Sequence, residues 1–453
     1  MKTAIVIGGG VSGLAAAWRI RRTGGEVLIL EKGGKVGGVM QGMERDGFRF
    51  DFCVSEMMLK NARMKELIDE MGLGTTMVAA NVKTAKKYIV RRGKPVALPS
   101  SLFDAPFNPL LTVGGKWGFL KEFFVARGKK DDETVASFVC RRLGRDFLDY
   151  AMGPLVSGIY AGDPETLSMR HAFPAFWEFE KKHGSLTGGM LAKMWAVMRG
   201  REPSWKKRLV SFEGGMRSVP KILAAQLEGC FLTGAETTSI EKRSDGWTVR
   251  GTTNGSAFEE SAHKLVLAVP AHAFGTLPLP EPLRNSLSLL NKLPYSPVAT
   301  VFTGFAREAV PHPLDGFGVL IPRRETRGMI GTQFLSSMFP KRAPDGHVAM
   351  LSFVGGMYAP QYASLPDMEI KALVRSELAR LLGIRGVPEF DLVCHWPKAI
   401  PHFPVGWQKT LDTVGTTEKR WPDLAIVGNW RGGPASGDSL LHASDAANSL
   451  LAR

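Results

Sequence analysis

The length, composition and charge of the chain limit the kinds of protein it encodes. At 453 residues the chain is long for one hydrophobic core, so we expect two or three lobes. A hydrophobic fraction of 44% with 22% charged residues is typical of a folded protein and excludes a disordered one. The formal net charge of +15 predicts attraction to anions, such as phospholipid surfaces, nucleic acid or a carboxylate substrate, without choosing among them.

The sequence shows no pattern for export or for spanning a membrane. A strand pattern begins at Thr3, and no stretch approaches the roughly 18 to 20 apolar residues of a spanning helix. The four cysteines are far apart and form no C-x-x-C pair, which favours a reducing compartment. The nine histidines show no metal-binding spacing. We therefore expect a cytoplasmic protein, and we assign no metal.

The first part of the chain has the pattern of a dinucleotide-binding βαβ unit. Residues 3–7 predict a buried strand, residues 8–13 fit G-x-G-x-x-G, and helix and strand patterns continue to Glu31. In such a unit the glycines allow a tight turn and a close approach to a pyrophosphate. The helix N-terminus binds the phosphates, and the carboxylate binds a ribose diol. The alternative is a chance glycine turn.

A second glycine pair, Gly37 and Gly38, follows the βαβ unit. In flavoproteins that resemble amine oxidases, such a pair lets the chain pass beside the FAD diphosphate, whereas a nicotinamide site has no need of it. The alternative is an ordinary surface turn. The pair favours FAD as the dinucleotide.

The remaining patterns alternate between strand-rich and helix-rich stretches. Strands are predicted at 47–51, 86–90, 96–98, 231–233, 247–250, 264–269, 298–304, 317–322, 328–334, 347–353 and 421–428. Helices are predicted at 14–22, 62–71, 118–127, 134–142, 145–156, 189–198, 212–227 (after a turn), 367–382 and 436–451. This order predicts an α/β protein with a doubly wound, Rossmann-like FAD-binding domain, a second domain built on another sheet, named the substrate domain below, and an inserted helical lobe.

The predicted domains are interleaved along the chain. The FAD-binding domain takes residues 1–60, 206–270 and 416–453, and the substrate domain takes 61–100 and 271–415. The helical lobe takes residues 101–205. Within it, residues 117–127 mix aromatic and basic side chains, which suits a membrane interface. A core helix of the lobe is the alternative.

Several motifs coincide with one family. The most specific is residues 153–164, GPLVSGIYAGDP, and others lie at 138–144, 213–216, 316–322 and 400–407. In these stretches the chain resembles the protoporphyrinogen oxidases, oxygen-dependent FAD enzymes of haem synthesis within the amine-oxidase-like flavoproteins. The resemblance implies an FAD domain, a mixed-sheet substrate domain and a membrane-associating helical lobe. It therefore favours the interfacial interpretation of residues 117–127.

The resemblance also implies which residues contact FAD. Thr237 falls where the family has a backbone contact to adenine, and residues 428–436 resemble its closing flavin loop. A helix N-terminus after this loop suits the electron-rich edge of a flavin, although a connection without a ligand is the alternative. No cysteine or histidine lies in an attachment motif, so non-covalent FAD is expected. The predicted cofactor-binding residues are Gly8, Gly9, Gly10, Val11, Ser12, Gly13, Glu31, Gly37, Gly38, Thr237, Asn429, Pro434, Ala435 and Ser436.

The predicted substrate-binding residues are Phe317, Leu320, Phe353 and Lys87. The first three fall at positions of the family's apolar and aromatic pocket, and each also suits the core of a strand. Lys87 stands where the family has an arginine that pairs with a substrate propionate. Lysine keeps the charge but loses the bidentate fork. A solvated lysine is the alternative.

A second departure from the family lies after Asp51. The family has Gly-Pro there, on a segment close to the flavin ring, whereas this chain has Cys53 and Val54. The sequence therefore leaves open how closely the backbone approaches the ring and which substrate is used.

The function implied by the resemblance is oxidation of protoporphyrinogen IX to protoporphyrin IX in haem synthesis, with O2 as acceptor. The expected partners are the porphyrinogen, O2 and a peripheral membrane surface, without nucleic acid, and a homodimer is allowed. The sequence singles out no catalytic general base. The alternatives are coproporphyrinogen oxidation, another oxidase or desaturase, a reduced-flavin isomerase and a flavin-binding partner without turnover.

Overall fold

The structure is a computed structural model that describes residues 1–82, 86–98, 108–110, 112, 115, 117–118, 121–201, 205–325 and 327–453. Its strands are β1 Lys2–Ile7, β2 Val27–Glu31, β3 Gly42–Arg45, β4 Phe48–Asp51, β5 Met57–Leu59, β6 Met77–Ala79, β7 Lys86–Arg91, β8 Lys94–Ala97, β9 Arg208–Phe212, β10 Phe231–Thr233, β11 Ala235–Lys242, β12 Trp247–Thr253, β13 Ser256–Leu267, β14 Tyr295–Ala306, β15 Gly316–Leu320, β16 Met329–Gln333, β17 His347–Gly355, β18 Phe390–Pro401 and β19 Leu424–Ile426. Its α-helices are α1 Val11–Arg22, α2 Ala62–Glu70, α3 Val135–Leu143, α4 Arg145–Phe147, α5 Gly153–Tyr160, α6 Met169–Ala172, α7 Pro174–His183, α8 Leu186–Met198, α9 Ser218–Gln226, α10 Glu281–Leu287, α11 Leu335–Met338, α12 Asp367–Leu382, α13 Trp407–Arg420 and α14 Ser436–Leu451.

The first sheet has the order β10-β2-β1-β13-β12-β11, and β19 pairs with β13. Strands β10, β2, β1, β13 and β19 run parallel, whereas β11, β12 and β13 form an antiparallel meander. Strand β1 is apolar on both sides because Ala4 and Val6 enter one core and Ile5 and Ile7 enter another. The parallel strands therefore bring their carboxyl ends to one edge, the usual place for a ligand in such a sheet.

The second sheet has the order β18-β14-β17-β16-β15-β7-β8 and mixes both pairing directions, since only β7 and β15 among these neighbours run parallel. Helix α12 covers one face, where Val374 and Leu378 pack in one core with Val301 and Val319. The opposite face carries Phe353, which packs against the cluster of Ala161, Val298 and Ile330. The predicted α/β class with a doubly wound sheet and a mixed sheet is confirmed.

The predicted helix at 118–127 is wrong over its second half. Trp117, Gly118 and Lys121 are helical, but a 3-10 turn follows at Glu122–Phe124, and residues 125–130 are not helical. The buried Glu122 carboxylate accepts hydrogen bonds from the Leu186 N–H at 2.6 Å and from the Arg142 guanidinium at 2.6 Å. Burial of this ion pair in the lobe therefore ends the helix early. Phe119 and Leu120 lie outside the described residues.

Some elements were not predicted. The helices α7 and α13 and the long strand β18 were absent from the predicted elements. The sequence of α13 is rich in threonine and contains a glycine, which weakens the helical pattern. The bounds of the three domains stay a prediction.

Candidate active site

The glycine turn after β1 is shaped by close backbone contacts. Gly8 has a φ of +106°, and a Cβ atom there would lie 2.4 Å from the carbonyl oxygen of Ala268. A Cβ at Gly13 would lie 1.9 Å from the carbonyl oxygen of Gly8. Only glycine fits at both positions, so helix α1 packs directly on the end of the strand.

Gly10 differs from these two glycines because a Cβ there would meet nothing within 4 Å. Its φ of −70° and ψ of 176° suit any residue. Gly10 is the N-cap of α1, and no side chain caps this helix, in which Val11 and Ser12 are the first residues. The N–H groups of the first turn have no partner within a helix. Open space beside uncapped N–H groups fits a pyrophosphate.

Glu31 and the second glycine pair complete the rim of this space. The Glu31 carboxylate accepts hydrogen bonds from the N–H groups of Gly9 and Gly33, both at 2.7 Å. The N–H of Gly37 donates to the carbonyl oxygen of Gly9 at 2.7 Å. At the next residue, Gly38, a Cβ atom would lie 3.2 Å from the Cα atom of Gly10. The backbones of the two glycine segments are therefore in contact, and both segments border the same space.

Thr237 lies on strand β11, whose start is bound to the loop after Glu31. It is half-buried on β11, where the pairing with β12 shifts register between Thr237 and Ser239. The turn before β11 is joined to the loop after Glu31, because the Gly234 N–H donates to the Gly33 carbonyl oxygen at 3.0 Å. Thr237 is therefore on a strand that starts beside the Glu31 loop.

The closing turn leaves the same edge of the first sheet through β19. Arg431 binds Glu418 with two hydrogen bonds of 2.7 Å and also donates to the carbonyl oxygen of Ile426 at 2.7 Å. The buried Trp430 donates its indole N–H to the Val269 carbonyl oxygen at 3.2 Å. These bonds fix the turn on the sheet. The predicted residues of the turn are all half-buried, namely Asn429, Pro434, Ala435 and Ser436.

Helix α14 begins at the end of this turn and contacts another chain segment. Ala435 is its N-cap, and no side chain caps the helix. A Cβ at Gly437 would lie 2.7 Å from the Met64 sulfur and 3.3 Å from the Met57 Cγ atom. The start of α14 therefore abuts the strand β5, which begins at Met57.

The second sheet presents a continuous row of side chains on the face opposite α12. In-register neighbours on adjacent strands point to the same face. Starting at β7, the row consists of Ile89, Leu320, Gly331, Phe353, Thr300 and Cys394. Two of the predicted substrate residues, Leu320 and Phe353, therefore lie on one face, and both are half-buried.

Lys87 and Phe317 lie opposite each other on neighbouring strands. Gly316 pairs with Lys86 and Val319 pairs with Tyr88, so a bulge places both Phe317 and Gly318 opposite Lys87. On the other face of β7, the ammonium of Lys86 and the hydroxyl of Tyr88 bind Asp315 at 2.5 and 2.6 Å. Lys87 is exposed, and its side chain has no ion pair or hydrogen bond to the described residues.

The side chain of Arg91 and the backbone at Arg92 are held by other elements. The guanidinium of Arg91 lies 3.9 Å from the ring centroid of Tyr150 and 3.8 Å from the Asp146 carboxylate. The backbone N–H of Arg92 donates to Glu325 at 2.7 Å. Arg91 thus joins the hairpin to the helical segment between Lys121 and Met198, whereas Lys87 is an exposed cation beside the apolar row.

The segment that contains Cys53 and Val54 is held against the same face. The Phe52 carbonyl oxygen accepts hydrogen bonds from the Thr300 hydroxyl at 2.6 Å and from the Trp396 indole at 3.3 Å. Burial, together with the neighbouring Cys394, raises the pKa of Cys53 to about 12. The thiol is therefore neutral, and the backbone of this segment is fixed on the row although the family's glycine and proline are absent.

The structure adds a polar cluster that the sequence did not predict. The Gln333 amide donates to the Glu56 carboxyl at 2.8 Å, and the Ser55 hydroxyl contacts both Glu56 and, at 2.8 Å, Gln333. Gln333 pairs with Leu351 two residues along from the pair of Gly331 with Phe353, so it lies on the same face of the sheet as the row of side chains. No sequence motif marks Glu56, and its position follows only from the packing of the two sheets.

Comparisons with known proteins identify the family of the chain. The chain matches the family of flavin-containing amine oxidoreductases over residues 11–436. The mitochondrial protoporphyrinogen oxidase of Nicotiana tabacum is 32% identical over 480 residues, covering 99% of this chain and 95% of that protein. The coproporphyrinogen III oxidase of Bacillus subtilis is 26% identical, covering 90% of this chain and 89% of that protein.

A solved structure shows the same fold. The crystal structure of an Exiguobacterium protein, which bears the provisional name protoporphyrinogen oxidase, superposes with a TM-score of 0.79 at 23% identity. It covers 100% of this chain and 99% of that chain. Fold, site and family match together define a flavin-dependent oxidoreductase. The chain belongs to the flavin-containing amine oxidoreductases, and it is homologous to the protoporphyrinogen oxidases, so the predicted resemblance is confirmed.

Proposed function

We propose that this protein binds FAD non-covalently and oxidises protoporphyrinogen IX to protoporphyrin IX, with O2 as the electron acceptor. The observation that carries the proposal is the face of the second sheet. It presents an apolar and aromatic row with an exposed cation, Lys87, at its side. A porphyrinogen is a broad apolar macrocycle with propionate groups on one side, which suits such a face.

The proposed roles of the residues follow from their positions. The backbone at Gly10 and the start of α1 hold the diphosphate, Glu31 faces the ribose, and Thr237 contacts the adenine through its backbone. The start of α14 lies beside the flavin ring. FAD supplies the two-electron oxidation when it is bound. The apolar row excludes water and orients the macrocycle, while Lys87 binds a propionate.

A second candidate substrate is coproporphyrinogen, because a coproporphyrinogen III oxidase is also a relative. The identity of 32% to the protoporphyrinogen oxidase of Nicotiana tabacum, against 26% to this relative, favours protoporphyrinogen. Steady-state kcat/KM for the two porphyrinogens decides between them.

The purified protein is expected to carry FAD that denaturation and ultrafiltration release. Under anaerobic conditions, protoporphyrinogen should bleach the flavin absorbance. Admission of O2 should then restore the flavin, with peroxide formation and a gain of porphyrin fluorescence. Retention of the colour on the denatured chain would contradict non-covalent binding, and a flavin that porphyrinogen does not bleach would contradict the proposed reaction.

We also propose that the helical segment binds a membrane surface. Large apolar side chains are exposed at the turn after Lys121 and along one face of α8, including Phe124 at 85% and Met198 at 67% exposure. Trp195 on the same face is 56% exposed, and the guanidinium of Arg199 lies 3.6 Å from its ring centroid. Exposed apolar side chains beside basic ones suit a peripheral interface. Across the described residues, no helix combines the length and the apolar character that crossing a bilayer requires.

Reversing two charges near the exposed turn is expected to weaken membrane binding. A basic residue near an anionic surface contributes about 1 kcal/mol, so Lys121→Glu with Arg127→Glu should lower vesicle affinity by roughly 30-fold or more. Flotation with anionic vesicles measures this loss. The matched control reverses the exposed Lys221 and Lys409, which changes the net charge equally but lies on other helices. Equal loss in both double variants would contradict a docking surface on the helical segment.

A further inference from the structure

Glu56 lies between the two halves of the proposed site. The next residue, Met57, contacts the start of α14 at Gly437, beside the proposed flavin ring. The carboxyl group of Glu56 accepts a hydrogen bond of 2.8 Å from the side-chain amide of Gln333, and Gln333 lies on the substrate face. The segment of residues 52–57 therefore joins the cofactor side to the substrate side, and Glu56 is its acidic residue.

The surroundings of Glu56 differ from those of a structural carboxylate. Nearby Asp51 is buried and paired with Arg342 at 2.7 Å, which compensates its charge. Glu56 has no ion pair among the described residues, and its partners are the neutral Gln333 and Ser55. Its carboxyl group is buried without an ion-pair partner of its own in the described part of the chain. A buried carboxyl group whose hydrogen-bond partners are neutral can be protonated or ionised, so it can accept a proton.

The proposed reaction requires such a group. Each two-electron oxidation of a porphyrinogen removes one hydrogen with its electron pair from a saturated bridge carbon, and it also removes one proton from a pyrrole nitrogen or a second bridge. The electron pair leaves with the hydride for the flavin. The proton needs a separate acceptor in a pocket that excludes water, and the ammonium of Lys87 cannot accept it.

We propose that the Glu56 carboxylate accepts this proton and is therefore a catalytic residue of the porphyrinogen reaction. The inference rests on the proposed function. The N–H or C–H bond of the substrate breaks, its electrons stay in the growing conjugated system, and a new O–H bond forms on Glu56. FAD, when bound, would carry the hydride to O2, and the proton on Glu56 would join it, so that hydride, proton and O2 together give H2O2 and the carboxylate is restored.

The groups around Glu56 determine the pH above which its carboxylate can accept a proton. Burial raises the pKa of Glu56, and the negative charge of Asp51 raises it further. The hydrogen bonds from Ser55 and Gln333 and the positive charge of Arg342 lower the pKa, but the net shift is upward. A raised pKa leaves the carboxyl protonated to higher pH. The rate of flavin bleaching should therefore rise with pH as Glu56 loses its proton, and this dependence should vanish when Glu56 cannot ionise.

The test compares three variants of the holoenzyme. Glu56→Gln keeps the size of the side chain but accepts no proton, Glu56→Asp keeps a carboxylate on a shorter side chain, and Glu44→Gln is the matched control. Glu44 is exposed, and the hydrogen bond and charge of Arg49 lower its pKa, so it does not titrate in the same range. Stopped-flow bleaching by protoporphyrinogen without O2 gives the rate, and an indicator dye follows protons released to solvent.

We expect Glu56→Gln to bleach roughly 100-fold or more slowly, with the pH dependence lost and Glu56→Asp intermediate. The wild type should retain the proton during bleaching, whereas Glu56→Gln should release it to solvent in the same step. An activity-independent signal is also expected. Infrared difference spectra between acidic and alkaline pH should show a titrating carboxylic acid in the wild type and in Glu44→Gln that is missing from Glu56→Gln.

Two outcomes would overturn the proposal for Glu56 itself. Unchanged bleaching and pH dependence in Glu56→Gln would show that another group accepts the proton. Equal loss in Glu56→Gln and Glu56→Asp, together with a lower melting temperature, would show that the residue is structural. Failure of protoporphyrinogen to bleach the wild type overturns the proposed function instead, and this outcome is distinguishable because it does not depend on any variant.

Discussion

Replacing Gly10 with valine is expected to empty the flavin site while leaving the fold intact. The backbone at Gly10 has angles that valine adopts, and a Cβ there meets no atom within 4 Å. The added side chain fills the space that we assign to the pyrophosphate, so affinity for FAD should fall by on the order of 100-fold or more. Flavin fluorescence on titrating apoprotein with FAD measures the affinity, and the melting temperature of the apoprotein should not change.

Valine substitutions at two other glycines, Gly34 and Gly13, are the comparisons for Gly10→Val. Gly34 also has open space and lies on the loop after Glu31, so Gly34→Val is a matched control that should keep both stability and FAD. At Gly13 a Cβ would lie 1.9 Å from a backbone oxygen, so Gly13→Val should lose stability as well as FAD. If Gly10→Val binds FAD like Gly34→Val, the diphosphate does not lie at Gly10.

The parts of the site that are local in sequence were predictable. The turn at residues 8–13, Glu31 and the helix from Ser436 each depend on residues within one short stretch, where glycine positions and apolar patterns suffice. The structure joins them because β1 and β19 both pair with β13 and end at the same edge. The family resemblance supplied the positions of Thr237 and Asn429, which no local pattern marks.

The features that depend on register and on packing between sheets were not predictable. The row of Leu320 and Phe353 follows from five strand pairings, and the position of Phe317 opposite Lys87 follows from a bulge. A bulge changes which residues are opposite without changing the hydrophobic pattern. Glu56 is a lone acidic residue in an apolar stretch, and its binding to Gln333 joins two parts of the chain that are far apart in sequence.

The buried ion pair of Glu122 and Arg142 is another feature that the local sequence does not predict. The end of the helix before Phe123 is set by Glu122, whose carboxylate binds Arg142 and the start of α8. The local sequence continues to favour a helix through these residues. Only the tertiary partners of Glu122, which lie on the two helices α3 and α8, stop it at this position.

Removing the charge of Lys87 is expected to weaken substrate recognition without affecting flavin content. A hydrogen bond to a charged group contributes about 1.5–3 kcal/mol, so Lys87→Met should lower kcat/KM by roughly 10- to 150-fold. Lys87→Arg supplies the family's bidentate group and should keep or raise kcat/KM. Steady-state kinetics with protoporphyrinogen measures both variants.

The hairpin itself supplies the controls for Lys87. Lys86 points to the other face and binds Asp315, so Lys86→Met removes the same charge from the same strand but should leave kcat/KM unchanged. Arg91 stacks on Tyr150 and lies near Asp146, so Arg91→Met should lower the melting temperature while KM stays close to that of the wild type. A normal kcat/KM in Lys87→Met would mean that the propionate anchor lies elsewhere, and a large rise of KM in Arg91→Met at unchanged stability would assign it to Arg91. We expect kcat/KM to fall in Lys87→Met and to stay unchanged in Lys86→Met. Successive side chains of a strand point to opposite faces, so only the ammonium group of Lys87 lies on the face of the apolar row.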